Sequence, residues 1–306
     1  MKALHPSIRR VRLDADRIFT VVNAVLVAAV ACAIFYPIYL VAIASISTPR
    51  EVINGRVLLW PVGRNTGGIE RVFSDALFLR SYLNTIVYTA VGTGINLLVT
   101  ITSAFVLSRR DFVLRKPITT LVVVSMFFSG GMIPTFLVVR QLHLLDTIWA
   151  LVLPVAVSPW NLIVARTFFT VSVSEELHDA AIIDGCNNFQ FYLRIVLPTS
   201  TTIVAVIGLF YGVAHWNSYW SALLYMRTQS RYPLQLVLRD ILLRSQISVE
   251  MMSAEMDDGN TMARMLEIAE SVKYVVALIA CLPLMLVFPF VQRYFVKGVM
   301  VGSIKG

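Results

Sequence analysis

Charge is scarce in this chain. Asp, Glu, Lys and Arg make up only 14% of its 306 residues, against 57% hydrophobic residues and a mean hydropathy of +0.74. A water-soluble fold cannot hide that much apolar surface, so the solvent for most of the chain is lipid. Cysteine is nearly missing as well. Cys32, Cys186 and Cys281 show no metal-ligand spacing, which leaves neither a metal site nor a disulfide framework to expect. The signatures H-E-x-x-H and G-x-S-x-G do not occur, and no pair of Asp residues sits inside an apolar run, so intramembrane proteolysis and hydrolase chemistry lack their groups. There is no G-x-x-x-x-G-K-[ST] loop to cradle ATP phosphates. No basic stripe with interleaved aromatics points to nucleic acid.

What the chain does have is long apolar runs. A helix crosses the hydrocarbon in about 20 apolar residues. Six stretches meet that length, at roughly 18–46, 81–108, 117–139, 147–165, 195–226 and 274–291. Five carry no ionisable Asp, Glu, Lys, Arg or His, and the fifth in order carries only His215. Backbone groups in lipid must be satisfied within their own segment, so these stretches read as helices. The first run is too long for a cleaved signal peptide and reads as a retained span. With no low-complexity segment and no clear internal repeat, the chain reads as one membrane domain, residues 1–306.

Orientation follows from the basic residues. Placing the N-terminus in the cytoplasm gathers Arg9, Arg10, Arg12, Arg17, Arg109, Arg110, Arg115, Lys116, Arg166 and Arg194 in inner segments. The formal net charge of +8 thus reads as membrane topology. Two longer segments, 47–80 and 227–273, then face outward, and the stretch from Glu175 to Pro198 lies in the cytoplasm.

That stretch, "EELHDAAIIDGCNNFQFYLRIVLP", is polar in an otherwise apolar chain. Ser172 and Glu175 have the spacing of a capping box, and Glu175 and Glu176 suit the positive end of a helix. The helix should stop at Gly185, and Asn187 with Gln190 repeats the cap spacing, giving a helix–Gly–helix elbow over 172–194. Leu177, Ala180 and Ala181 share a face by spacing, and that face is too small for a membrane anchor.

The same residues resemble the conserved cytoplasmic motif of ATP-binding-cassette importer permeases, E-A-A, three residues, G, nine residues, I-x-L-P. Here it is Asp179-Ala180-Ala181, Gly185 and Ile195-Val196-Leu197-Pro198, with Asp in place of the leading Glu. Further segments, "WNSYWSALLY" and "YFVKGVMVGSIKG" among them, resemble the maltose-permease-like carbohydrate importers, and within these the permeases for alginate and aldouronate oligosaccharides. The resemblance implies an all-α integral membrane protein with six transmembrane helices and a cytoplasmic coupling helix, the type I importer fold. It implies that Glu176, Asp179, Ala180, Ala181, Asp184, Gly185, Ile195, Leu197 and Pro198 carry the contact to an ATPase. It also implies a C-terminal tail, with Gly302, Ser303 and Lys305, that reaches the same ATPase. Implied partners are a second related permease, two ATP-binding subunits holding ATP and Mg, an external solute-binding protein, and an oligosaccharide cargo in a bacterial cytoplasmic membrane with both termini inside. No cofactor is expected on this chain.

For the cargo, Trp216, Asn217, Tyr219 and Trp220 offer aromatic faces and an amide, the groups that bind sugar rings. They lie 18 residues or more beyond Pro198, roughly 27 Å up a helix and near the outer edge of the hydrocarbon. The same residues fit an aromatic belt at the lipid surface. Gly130-Gly131 with Pro134 should kink the third span, and Pro154 with Pro159 the fourth. An ion-coupled secondary transporter is the rival reading; it would need intramembrane carboxylates or an inverted repeat, and neither is seen.

Overall fold

The computed structural model describes residues 7–243 and 259–303. All regular structure among them is helical. In chain order the elements are α1 (Ser7–Ser45), α2 (Pro49–Ile53), α3 (Gly67–Ser74), α4 (Ala76–Ser108), α5 (Arg115–Phe127), α6 (Met132–Gln141), α7 (Ile148–Val152), α8 (Pro159–Ser172), α9 (Glu175–Ile183), α10 (Asn188–Phe191), α11 (Leu197–Thr199), α12 (Thr201–Trp216), α13 (Tyr219–Tyr225), α14 (234–243) and α15 (Gly259–Ser303).

Three helical stretches are long and apolar enough to cross a membrane unbroken: Asp16–Ser45, Ala76–Ser108 and Ser271–Gln292. Each of the other three stretches expected to span falls on a pair of helices that reaches the needed length and apolarity only when taken together. α5 and α6 meet at 117°, Ile148–Val155 and α8 at 52°, and Asn188–Thr199 and α12 at 79°.

Local chemistry accounts for each break. Between α5 and α6, Gly131 takes φ +83 and its N–H donates to Ser129 Oγ at 3.2 Å, a turn no residue with a β-carbon adopts cheaply. Sequence spacing suggested a kink at Gly130-Gly131, and the helix is interrupted and bent there. In the fourth span Pro154 sits in a 3₁₀ turn, and Ser158 caps α8 with Pro159 in its first turn. In the fifth, a π-helical turn, Tyr192–Val196, precedes Pro198, and the bend falls at Ser200.

The chain divides into two compact units. One comprises residues 1–72 with 245–279, the other 73–244 with 280–306. In the first, Tyr36 and Tyr39 of α1 donate their hydroxyls to the carbonyls of Leu58 and Leu59, at 3.2 and 2.5 Å, tying the following segment to the helix. Gly68 lies so close to Ser271 that a β-carbon would stand 2.2 Å from its Oγ.

The second unit is built on α4, α8 and α12, which pack against one another. Small residues bring the backbones together: a β-carbon on Gly92 would meet the His215 ring at 2.5 Å, and one on Gly208 would touch Leu97 at 3.3 Å. The core between these helices holds Ile101, Ala104, Phe105, Leu162, Ala165, Phe169, Ile203, Ile207 and Tyr211. Polar pairs stitch it. Thr100 and Tyr211 share a 2.7 Å hydrogen bond, Ser158 N–H donates to Tyr211 Oη, and Asn96 Nδ2 donates to the Val155 carbonyl. Such bonds within hydrocarbon are worth about 1 kcal/mol each.

Candidate functional site: a capped helical elbow

The elbow is α9 and α10 with the turn between them. Its N-cap is Ser174, not Ser172: α8 runs through Ser172, and Ser174 Oγ accepts from Leu177 N–H at 3.3 Å. Three residues beyond Ser174 stands Leu177, whose side chain has no acceptor to reach back with, so this end is a simple cap rather than a capping box. Glu175 and Glu176 occupy the first turn, where the helix dipole favours them.

α9 ends in a Schellman turn. Cys186 N–H donates to the Ala181 carbonyl and Gly185 N–H to that of Ile182, both at 2.9 Å, with Gly185 at φ +81. Ala181 and Cys186 pack into the same core, the apolar contact that accompanies this motif. One residue later Asn187 opens α10 with a full capping box: its Oδ1 accepts from Gln190 N–H at 2.8 Å, and Gln190 Oε1 accepts from Asn187 N–H at 3.1 Å. Nearly every backbone group at the bend is therefore spoken for, and the elbow is stiff.

Ala181 is 4% exposed and turns inward with His178 and Phe191, into the core between α4, α8 and α12. The shared face expected for Leu177, Ala180 and Ala181 is thus split, because the packed side of α9 runs through 178 and 181. Glu176, Leu177, Asp179, Ala180, Asp184 and Gly185 stay exposed on the other side. Two residues that spacing did not single out dominate that outer face: Ile183, 86% exposed, and Phe189, 70% exposed. Their signal was present, since large apolar side chains in a polar interruption have no core to enter.

A latch holds the elbow to the end of α4. His178 is buried; Arg109 Nη2 lies 2.9 Å from its Nδ1, and Asn188 Oδ1 3.2 Å from its Nε2. Guanidinium can only donate, so Nδ1 accepts and Nε2 carries the proton toward Asn188. The Phe191 ring meets the imidazole edge-on at 5.0 Å. Arg109 also donates from Nε to Asp111 at 3.2 Å, and Arg110 pairs with Glu175 at 3.1 Å. Arg166 donates to the Leu107 carbonyl at 3.0 Å, satisfying an open end of α4. Composition suggested only cytoplasm-facing charge for Arg109 and Arg110; the structure pairs Arg109 with His178 and Asp111, and Arg110 with Glu175.

Beyond the elbow, Ile195 is partly buried in the core, Leu197 packs beside it, and Pro198 is exposed. At the far end of α12 the aromatic set is divided. Trp216 is 4% exposed and donates from Nε1 to the Ala280 carbonyl at 3.0 Å. The helix breaks at Asn217, so Trp216 and Trp220 do not share the continuous helical face that spacing suggested. Asn217 Nδ2 donates to its own helix at Val213 O, Tyr219 meets Trp220 edge-on at 5.4 Å, and Trp220 is 68% exposed. Gly302 and Ser303 close α15, and Lys305 lies outside the described residues. Among the described residues no cluster of His, Cys, Asp or Glu could hold a metal ion.

Helices long and apolar enough to cross a membrane, and one capped polar elbow that exposes Ile183 and Phe189, are what the described residues combine. The chain belongs to the family of binding-protein-dependent transport system inner membrane components, whose model matches residues 96–301. It is 38% identical over 292 residues to the protein LplC of Bacillus subtilis, covering 95% of this chain and 96% of that one. It is 39% identical over 270 residues to the polygalacturonan/rhamnogalacturonan transport system permease protein YtcP of the same organism, covering 88% and 92%. In fold it is similar to a chain of a bacterial ABC transporter involved in the import of the acidic polysaccharide alginate, with a TM-score of 0.79, 30% identity, and 96% and 100% of the two chains covered. The chain is therefore an all-α, multi-pass permease subunit of an ABC importer.

Proposed function

We propose that this subunit carries oligosaccharides into the cytoplasm, and that its cargo is fragments of acidic plant or algal polysaccharides. Two similarities support the cargo class: the relative named for polygalacturonan and rhamnogalacturonan transport, and the structure titled for alginate import. A second permease completes the pathway, two ATP-binding subunits dock on the cytoplasmic side, and a solute-binding protein delivers the sugar outside. ATP and Mg reside on the ATPase, and this chain holds no cofactor. Both termini are cytoplasmic, and the tail with Gly302, Ser303 and Lys305 lies against the ATPase.

The observation that carries this reading is the outer face of the elbow. Glu176, Asp179, Ala180, Asp184 and Gly185 are exposed around Ile183, while Ala181, His178 and Phe191 anchor the same element in the core. The ATPase grips this face. When ATP closes the ATPase dimer, the elbow transmits the movement to α4, α8 and α12 as one body, and Ile195, Leu197 and Pro198 pass it into the fifth span.

The test is a reconstituted four-subunit complex in proteoliposomes, with ATP hydrolysis stimulated by loaded binding protein. Ile183→Asp places a charge where an apolar anchor belongs; a hot spot of about 2 kcal/mol lowers ATPase association about 30-fold. Asp179→Lys reverses a charge on the same face and weakens association as well. Full stimulation and uptake in both variants would overturn the assignment.

A further inference from the structure

Where α12 breaks, five side chains of unlike chemistry converge. Asn217 Oδ1 accepts from Gln235 Nε2 at 3.4 Å. One turn along α14, the Arg239 guanidinium lies over the Tyr219 ring, 5.5 Å from its centroid. Tyr219 meets the exposed Trp220 at 5.4 Å. Gln235 and Arg239 are four apart on α14 and so lie on one face of it.

Arg239 is exposed, and among the described residues it forms no ion pair. Among the described residues its cation is steadied by the aromatic face, which attracts charge without using the guanidinium's hydrogen-bond donors. Those donors have no partner among the described residues and form a planar fork, the shape that takes a carboxylate through two parallel bonds. Trp220 supplies an apolar plate for the C–H face of a sugar ring, and the Asn217–Gln235 amide pair offers donors and acceptors for hydroxyls.

The geometry points to a uronate subsite on the transport pathway, formed by Arg239, Tyr219, Trp220, Asn217 and Gln235, that reads the carboxylate of an acidic sugar. It rests on the acidic-oligosaccharide reading above and assigns the charge selection to Arg239. Of its five residues one is a cation, which suits cargo that must leave again. A buried, doubly paired carboxylate would be held too long.

The experiment uses the full complex in proteoliposomes with its binding protein, and trigalacturonate as cargo. Arg239→Gln lowers trigalacturonate uptake about tenfold, the worth of one charge-assisted contact of about 1.4 kcal/mol. Arg239→Lys, which keeps the charge and loses the fork, recovers part of it. ATP hydrolysis stimulated by loaded binding protein stays at the wild-type rate in both, so the sugar carried per ATP falls. Raising the salt narrows the gap between wild type and Arg239→Gln. Unchanged uptake in Arg239→Gln overturns the subsite and leaves the cargo class standing. Equal loss in Arg239→Gln and Arg239→Lys, with ATP hydrolysis also lost, marks Arg239 as structural and overturns it too. If the wild type does not import trigalacturonate or an alginate trisaccharide, the cargo class itself falls, and the subsite with it.

Discussion

At the scale of single residues, two glycines are required for opposite reasons. A β-carbon at Gly185 would meet nothing within 4 Å, so only the backbone objects, through its φ of +81. Leucine there costs about 1–2 kcal/mol, while asparagine, which tolerates the left-handed region, costs less. Gly185→Leu should therefore abolish coupled uptake, with the protein still in the membrane, and Gly185→Asn should keep most of it; equal uptake in the two would show that the turn is not what limits coupling. Gly92 has an ordinary backbone but no room, because the His215 ring fills the space. Overpacking of this kind costs about 1–3 kcal/mol, so Gly92→Ala should lower the thermal unfolding temperature in detergent. Beside it, the Thr89 and Thr93 hydroxyls, Asn96 Oδ1 and His215 Nε2 are buried without a partner. A hydroxyl with no bond gains nothing from being polar, so Thr93→Val should leave stability unchanged or raise it. Gly185 was legible in the sequence because a cap pattern surrounded it. Gly92 was not, since what it makes room for lies 123 positions away on another helix.

At the scale of elements, the elbow and its latch belong together. Truncating Arg109 would leave the Nδ1 of buried His178 without its donor. A lost partner for a buried polar group costs about 1–3 kcal/mol. Arg109→Ala should loosen α9, seen as faster amide hydrogen exchange over 177–183 with α4 unchanged. No change in exchange would mean that the apolar anchors Ala181 and Phe191 hold the elbow alone. A second latch lies between α6 and α7. Asp146, at φ 62, accepts from the Arg227 and Thr228 N–H groups and the Thr228 hydroxyl, and pairs with Arg231. Partial burial pushes its carboxyl up, but these donors outweigh it and hold it below its ordinary value of 3.8. A depressed carboxylate stabilises the fold above its unfolded value and loses that contribution as pH falls through the folded one. The stability gap between wild type and Asp146→Asn should be full at pH 7 and close below about pH 3.8. Caps and proline breaks were readable from spacing, because they are local. The latches were not, since Arg109 and His178 are 69 positions apart and charge near a span end looks like topology alone.

At the scale of the whole molecule, the energy source follows from what the crossings contain. An ion-coupled carrier needs groups within the membrane that bind the ion and change affinity as the cavity turns. The six apolar stretches hold no carboxylate, and the one Asp, Glu, Lys, Arg or His among them, His215, packs against Gly92 with 4% exposure. In the function proposed above, energy arrives from outside the membrane at the elbow, whose turn is fixed by a Schellman motif and a capping box, whose inner side packs into the core of α4, α8 and α12, and whose outer side is exposed. A stiff lever anchored this way transmits displacement without absorbing it, whereas a flexible loop would dissipate it. Proteoliposomes holding the full complex should accumulate oligosaccharide only with ATP inside and loaded binding protein outside. Proton and sodium gradients of either sign, imposed without ATP, should drive nothing. Collapsing both gradients with ionophores while ATP is present should leave the rate unchanged. Uptake driven by an ion gradient in vesicles lacking the ATPase would place the coupling inside the spans and remove the elbow's role as the point where energy enters.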